Sequence, residues 1–156
     1  MKSQGEIEAA VCDGISRFQQ EFIGRGPRDI HAYLVGSLLL VRLQGVLTAA
    51  ERQLIGPRPE TDGIHASANG TAPTDPAAED GEPAPQAAAG DNGRSLLKQV
   101  RTHMVANGRP RLESIVQQAV GVRLVSVHHD ISTVTGEEVL VFSLAEAPAC
   151  RPKKRP

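Results

Sequence analysis

Aromatic residues are nearly missing from this chain of 156 residues, which has no Trp, one Tyr and three Phe. A base-stacking nucleic-acid surface is therefore disfavoured. The core has to be aliphatic, built from Leu, Val and Ile with Phe18, Phe22 and Phe142 as its larger pieces. Cysteine is as scarce, with only Cys12 and Cys150; two thiols suit a reducing compartment better than a small secreted domain, although one bridge stays open. Long hydrophobic runs are absent. The longest apolar stretch, Tyr33 to Leu47, is interrupted by Gly36, Ser37, Arg42 and Gln44 and falls short of the roughly 20 residues that span a bilayer as a helix. Met1 leads into a polar, helix-forming segment with no apolar h-region, so no secretory signal is expected. The expected location is the cytoplasm, with any membrane association peripheral to the inner face and without direct insertion. Walker loops, Gly-x-Gly-x-x-Gly, His-Glu-x-x-His, Cys-x-x-Cys and Gly-x-Ser-x-Gly are all missing.

Charge is distributed unevenly. Between Gly56 and Gly93, seven acidic residues against Arg58 give a local charge of −6, and Arg151, Lys153, Lys154 and Arg155 give the tail +4. The remainder is nearly neutral and lacks the basic face of a phosphate-backbone binder, so no nucleic-acid partner is expected. The stretch 57–92 is rich in Pro, Ala, Gly, Asp and Glu and nearly empty of large apolar residues. It reads as a disordered insertion into one domain spanning 1–147, and 148–156 as a disordered basic tail.

The rest of the chain has clear local signals. Ser3-Gln4-Gly5-Glu6 has capping-box spacing, and Ile7, Val11, Ile15, Phe18 and Phe22 then recur at helical intervals until Gly24. Asp29 to Val35 alternates as a strand with Ile30, Ala32 and Leu34 on one face, and Gly36-Ser37 suits a two-residue hairpin turn. Leu38 to Gln44 returns with apolar residues on both faces, which predicts a central strand covered on both sides. Thr48-Ala49-Ala50-Glu51 repeats the capping box and predicts a short helix to Gly56. Beyond the insertion, Leu97, Val100 and Met104 mark a helix over 95–107, and Leu112, Ile115, Val116 and Ala119 a second one, separated by a break at Pro110 and ending at Gly121. Val122 to Leu144 then reads as a hairpin around a Ser-Thr-Val-Thr-Gly turn. The predicted fold is α+β, a two-layer sandwich in the order αββα, insertion, ααββ, with four short strands. Its open sheet edges and possible second apolar face suit completion by homodimerisation.

Candidate contact residues are Arg25, Arg28, His128, His129 and Asp130. Arg25 and Arg28 flank Gly26-Pro27 in a rigid loop able to present two guanidinium groups to an anion such as bicarbonate or phosphate, or else to stand as ordinary surface arginines. His128, His129 and Asp130 are metal-binding types, yet a strand sends His128 and Asp130 to one face and His129 to the other with Val125, Val127 and Ile131. Ser132, Thr133 and Thr135 read better as turn caps than as nucleophiles. No catalytic, cofactor-binding or metal-ligating residue is assigned. A second basic set, Arg101, Arg109, Arg111 and Arg123, falls on no single face by spacing.

Glu6-Ile7 through Gly24-Arg25-Gly26-Pro27, the run Val41-Arg42-Leu43-Gln44-Gly45-Val46-Leu47-Thr48-Ala49-Ala50-Glu51, and Asp130-Ile131-Ser132 with Thr135-Gly136-Glu137 and Val141-Phe142 resemble the small bacterial MpsC-like family, formerly DUF2294. The resemblance covers 3–56 and 93–147. It implies an accessory component of a sodium-translocating, membrane-potential-generating system linked to ion or inorganic-carbon uptake, and no catalytic residues. The leading expectation is a non-enzymatic cytoplasmic accessory or regulatory protein, homodimeric, acting on an integral-membrane transporter. The alternatives are a soluble small-ligand or anion sensor and, less supported by motifs, a hydrolase or metalloenzyme.

Overall fold

The computed structural model describes residues 1–56 and 86–152. Elements follow in the order α1 (Gln4–Phe18), a π-helical turn (Gln19–Ile23), β1 (Asp29–Val35), β2 (Leu38–Gln44), α2 (Ala49–Ile55), α3 (Gln86–Asn107), α4 (Arg109–Val120), β3 (Leu124–Ile131) and β4 (Glu138–Leu144). The four strands form one antiparallel sheet in the order β1-β2-β4-β3. The expected α+β architecture is thus what the chain adopts.

Both capping boxes form as their spacing dictates. The Ser3 hydroxyl accepts from the Glu6 amide while the Glu6 carboxylate accepts from the Ser3 amide, and Thr48 and Glu51 do the same at the start of α2. Ile7, Val11, Ile15 and Phe18 line the buried face of α1. Phe22 does not follow them. The helix widens into a π turn, closed by the Gly24 amide on the Gln19 carbonyl at 3.1 Å, and this rotates Phe22 off the stripe to stack outside on Phe18, with ring centroids 5.0 Å apart. Gln19 is buried in its stead.

The β1–β2 hairpin turns at Gly36-Ser37 as expected, with Gly36 at φ +59°. Ala32 and Leu34 on β1, Leu39, Val41 and Leu43 on β2, and Leu140, Phe142 and Leu144 on β4 share the inner face with the helices. β2 is central, but among the described residues it is not covered on both sides. Leu38 is 43% exposed and Arg42 is exposed, because the described helices pack against the inner face. A bulge between Leu124 and Ser126 also changes the expected phase of β3: Leu124 enters the core and Val125 is turned out.

Two other boundaries differ from the sequence reading. α3 begins at Gln86, so 86–92 is helical, in keeping with the high helix propensity of Ala87-Ala88-Ala89; the remainder of the proposed insertion, 57–85, lies outside the described residues. Within the tail, Pro148 is buried and Arg151 forms a bridge with Ser3, its amide reaching the Lys2 carbonyl at 2.9 Å. Residues 153–156 lie outside the described residues. Cys12 and Cys150 are both free thiols, half-buried against the core.

α3 and α4 meet at Gly108, directly over the Phe18 ring. A Cβ there would lie 2.5 Å from the ring, so Gly108→Ala should lower stability by about 1–3 kcal/mol through overpacking. Urea denaturation checks this, and an unchanged midpoint would show that the ring simply moves aside.

Candidate functional site

The inner face of the sheet is not wholly apolar. Glu138 opens β4 in phase with Leu140, Phe142 and Leu144 and is fully buried, and Arg101 of α3 is fully buried opposite it. The Arg101 guanidinium holds Glu51 with two bonds, Nε to Oε1 at 2.6 Å and Nη2 to Oε2 at 2.8 Å. It also donates from Nη1 to Glu138 Oε2 at 3.1 Å and to Gln19 Oε1 at 3.4 Å, and from Nη2 to the Val46 carbonyl at 2.8 Å. Gln19 Nε2 in turn donates to Glu138 Oε1 at 3.3 Å, and His129 Nε2 meets that same oxygen at 2.9 Å. One guanidinium therefore ties α3 to α2, to the π turn, to the end of β2 and to β4, and Glu138 extends the tie to β3.

The chemistry of this cluster is that of a clamp. Planar bidentate pairing is what a guanidinium does better than an ammonium. Burial alone would push the Glu51 carboxyl up, but its hydrogen bond from Arg101, the Thr48 amide and the Arg101 charge outweigh that and hold it below the usual carboxylate range. Two carboxylates face one guanidinium, and the His129 ring meets the second of them, Glu138. The other ring nitrogen of His129, Nδ1, is buried without a hydrogen-bond partner among the described residues.

Beside the clamp lies a cavity of about 370 Å³ between α2, α3 and the β3–β4 loop. Arg52, next to Glu51, and Arg94, two turns before Arg101 on the same side of α3 as Leu97, line it together with Thr133 and Thr135.

The residues singled out by sequence occupy three separate places. Arg25 and Arg28 stay together near the end of β2: Arg25 Nε donates to the Gly45 carbonyl at 3.3 Å and the Arg28 amide to the Gln44 carbonyl at 2.8 Å, with both side chains exposed. His128 and Asp130 share the outer face of β3, on the far side of the sheet, whereas His129 points into the clamp, as strand alternation requires. Asp130 is bound by Lys98 at 2.9 Å and by the Ile131 amide, and these bonds hold its carboxyl below the ordinary range. Ser132 accepts the amides of Val134 and Thr135, the turn-capping role its position implied. Among the described residues no three His, Cys, Asp or Glu side chains gather closely enough to hold a metal ion.

Arg101, Glu51, Glu138 and Gln19 were missed by reading helical stripes of apolar residues. Val100 is 39% exposed and Met104 is only half-buried, while Leu97, Arg101 and Val105 face inward. The available signal was Glu138 falling at the core phase of β4, since a carboxylate there demands a buried cation. Arg111, from the same basic set, pairs instead with Glu21 at the surface, and Arg109 and Arg123 are exposed.

Breaking such a pair leaves an uncompensated buried charge, so Arg101→Ala should cost about 3–5 kcal/mol. Replacing Arg101, Glu51 and Glu138 together by Met and Leu should restore most of that loss in denaturant melts; an equally unstable triple variant would mean that packing, not charge, holds this region. Acid provides a second check. The depressed Glu51 carboxyl contributes stability that is complete above the ordinary carboxylate value of about 4.3 and is lost as pH falls through its lower folded value. The fall in stability below that point should be shallower in Glu51→Gln, and an identical pH profile in the two proteins would contradict the assignment.

The sequence matches the family described as Na+-translocating membrane potential-generating system (MpsC) over residues 3–65 and 86–146, and the gap between these stretches falls inside the segment read as an insertion. A Bacillus subtilis (strain 168) relative, described as uncharacterized protein YbcI, is 26% identical over 143 residues, covering 92% of this chain and 89% of the relative. No solved structure matches the chain. With two matched stretches that take in both capping boxes, all four strands and the Arg101 clamp, this chain belongs to the MpsC family.

Proposed function

We propose that this chain is a non-enzymatic accessory or regulatory protein of a membrane ion- or inorganic-carbon-transport system, working from the cytoplasmic side as a homodimer in contact with an integral-membrane transporter. The family description supports the link to a membrane system. No helix among the described residues is long and apolar enough to cross a membrane, and ion movement accordingly falls to the partner. The ionisable groups of the clamp are spent on one another, which supports a scaffold in preference to a reaction centre.

The observation that carries the contact role is the outer face of the sheet. Tyr33, Val35 and Leu38 are 46%, 69% and 43% exposed there, and register places Leu40 beside Tyr33 and Val141 beside Leu40, which continues the patch across β2 and β4. A contiguous apolar patch on one sheet face marks an interaction surface. A second copy suits it. Two of its charged neighbours are already neutralised by a partner, Arg42 with Glu137 at 2.8 Å and Lys98 with Asp130 at 2.9 Å, which leaves Asp29 at the far end of β1 as the charge on this face without an ion pair among the described residues, so two identical faces can meet about a two-fold axis with little like-charge repulsion.

Sedimentation equilibrium should give a dimer at micromolar concentration, and Val35→Glu with Leu38→Glu should give a folded monomer with an unchanged circular dichroism spectrum. A wild-type monomer at 100 µM, a working concentration about a hundredfold above that of a micromolar dimer, would remove the dimer. Crosslinked capture of the tagged chain from its own cells should recover an integral-membrane transporter in stoichiometric amount; recovery of the chain alone, in the soluble fraction, would overturn the accessory role.

A further inference from the structure

We propose that the cavity between α2, α3 and the β3–β4 loop is a binding site for a small oxyanion, held by Arg52 and Arg94. This site is distinct from the Arg25–Arg28 loop and goes beyond the accessory reading, since it does not depend on the dimer or on the membrane partner.

Four observations converge on it. First, the lining includes Arg52, Arg94, Thr133 and Thr135 and no acidic residue among the described residues. Second, neither Arg52 nor Arg94 takes part in an ion pair among the described residues, unlike Arg42, Arg101, Arg111 and Arg151. Third, Arg94 Nε is buried without a hydrogen-bond partner among the described residues; a guanidinium N–H removed from water and left unpaired is a standing cost that an acceptor oxygen relieves. Fourth, the nearest carboxylate in sequence, Glu51, is unable to neutralise the site because both its oxygens are engaged by Arg101 and one also accepts the Thr48 amide.

The fold also holds the cations in place before a ligand arrives. Arg94 and Arg101 are seven residues apart on α3, so locking Arg101 in the clamp fixes the roll of the helix that carries Arg94. Arg52 follows Glu51 directly on α2, and Glu51 is gripped by the same guanidinium. The loop wall is set by Ser132, whose hydroxyl accepts two loop amides and whose carbonyl accepts the Gly136 amide. Two guanidinium forks around a concave site are suited to the oxygens of phosphate or of a carboxylate-class anion, and ill suited to a halide, which offers no divergent acceptor pair. Because α2, α3 and the hairpin loop all reach the cavity, an anion bound there would add a second tie between the elements the clamp already joins.

The test is calorimetric titration of the full chain at constant ionic strength with sodium phosphate, bicarbonate and acetate, with sodium chloride as the control. Saturable binding of one oxyanion per chain is expected, with chloride silent. Arg52→Gln with Arg94→Gln should weaken it at least tenfold, and Arg25→Gln with Arg28→Gln should leave it unchanged. Phosphate preference would assign a tetrahedral anion, and bicarbonate or acetate preference a planar one; both outcomes support the site. Should the double variant fold poorly, the Arg Nε–Hε resonances of the wild-type protein provide the readout, with the Arg94 signal expected to shift on titration. The absence of saturation by any of the three anions, or binding that survives the loss of both Arg52 and Arg94, would overturn the proposal without bearing on the dimer.

Discussion

A single guanidinium holds the two layers of this protein in register. Arg101 sits where an aliphatic side chain would normally fill the space between helix and sheet, and every strong acceptor within its reach comes from a different element: Glu51 from α2, Gln19 from the π turn, Val46 from the exit of β2, Glu138 from β4. An apolar contact of the same size tolerates sliding and repacking, whereas a planar fork with five donors accepts one arrangement. The clamp therefore contributes specificity of docking more than net stability, because the desolvation of its three charges offsets much of their attraction.

That constraint explains details that look unrelated. The π turn leaves Gln19 inward, where its amide bridges Arg101 and Glu138, and sends Phe22 out. α3 presents Arg101 to the core and leaves Val100 at the surface. The capping carboxylate of Glu51 serves twice, closing the start of α2 on the Thr48 amide and receiving the guanidinium. With the described helices fixed on the inner face, the outer face of the sheet carries none of them, and its apolar patch becomes the surface from which contact with another protein is proposed.

Much of the fold was legible along the chain because its local signals are strong and short-range. Two capping boxes, the Gly36 turn, the break just before Pro110 and the alternation of β1 each need only a few neighbours to act. The geometric separation of His128 from His129 was legible for the same reason. Less legible were features in which a distant partner overrides local preference. Helical spacing cannot tell an inward Arg101 from an outward one, since its partners are 50 and 37 residues away. Nor does alternation reveal the bulge that turns Val125 outward, or whether the second face of β2 is covered. The Arg52–Arg94 cavity joins residues on either side of a segment read as an insertion, so no motif spans it.

Local sequence specified most of the elements, their caps and most of the inward-facing positions, because hydrogen bonds at helix ends and the periods of helix and strand depend on residues a few places apart. Which polar side chains are buried together, and which apolar ones remain exposed, was settled by the packing of distant segments. Burying a charge is feasible only when an opposite charge is brought to it from elsewhere in the chain, and the packing of α3 against α2 and β4 is what brings Arg101 to Glu51 and Glu138.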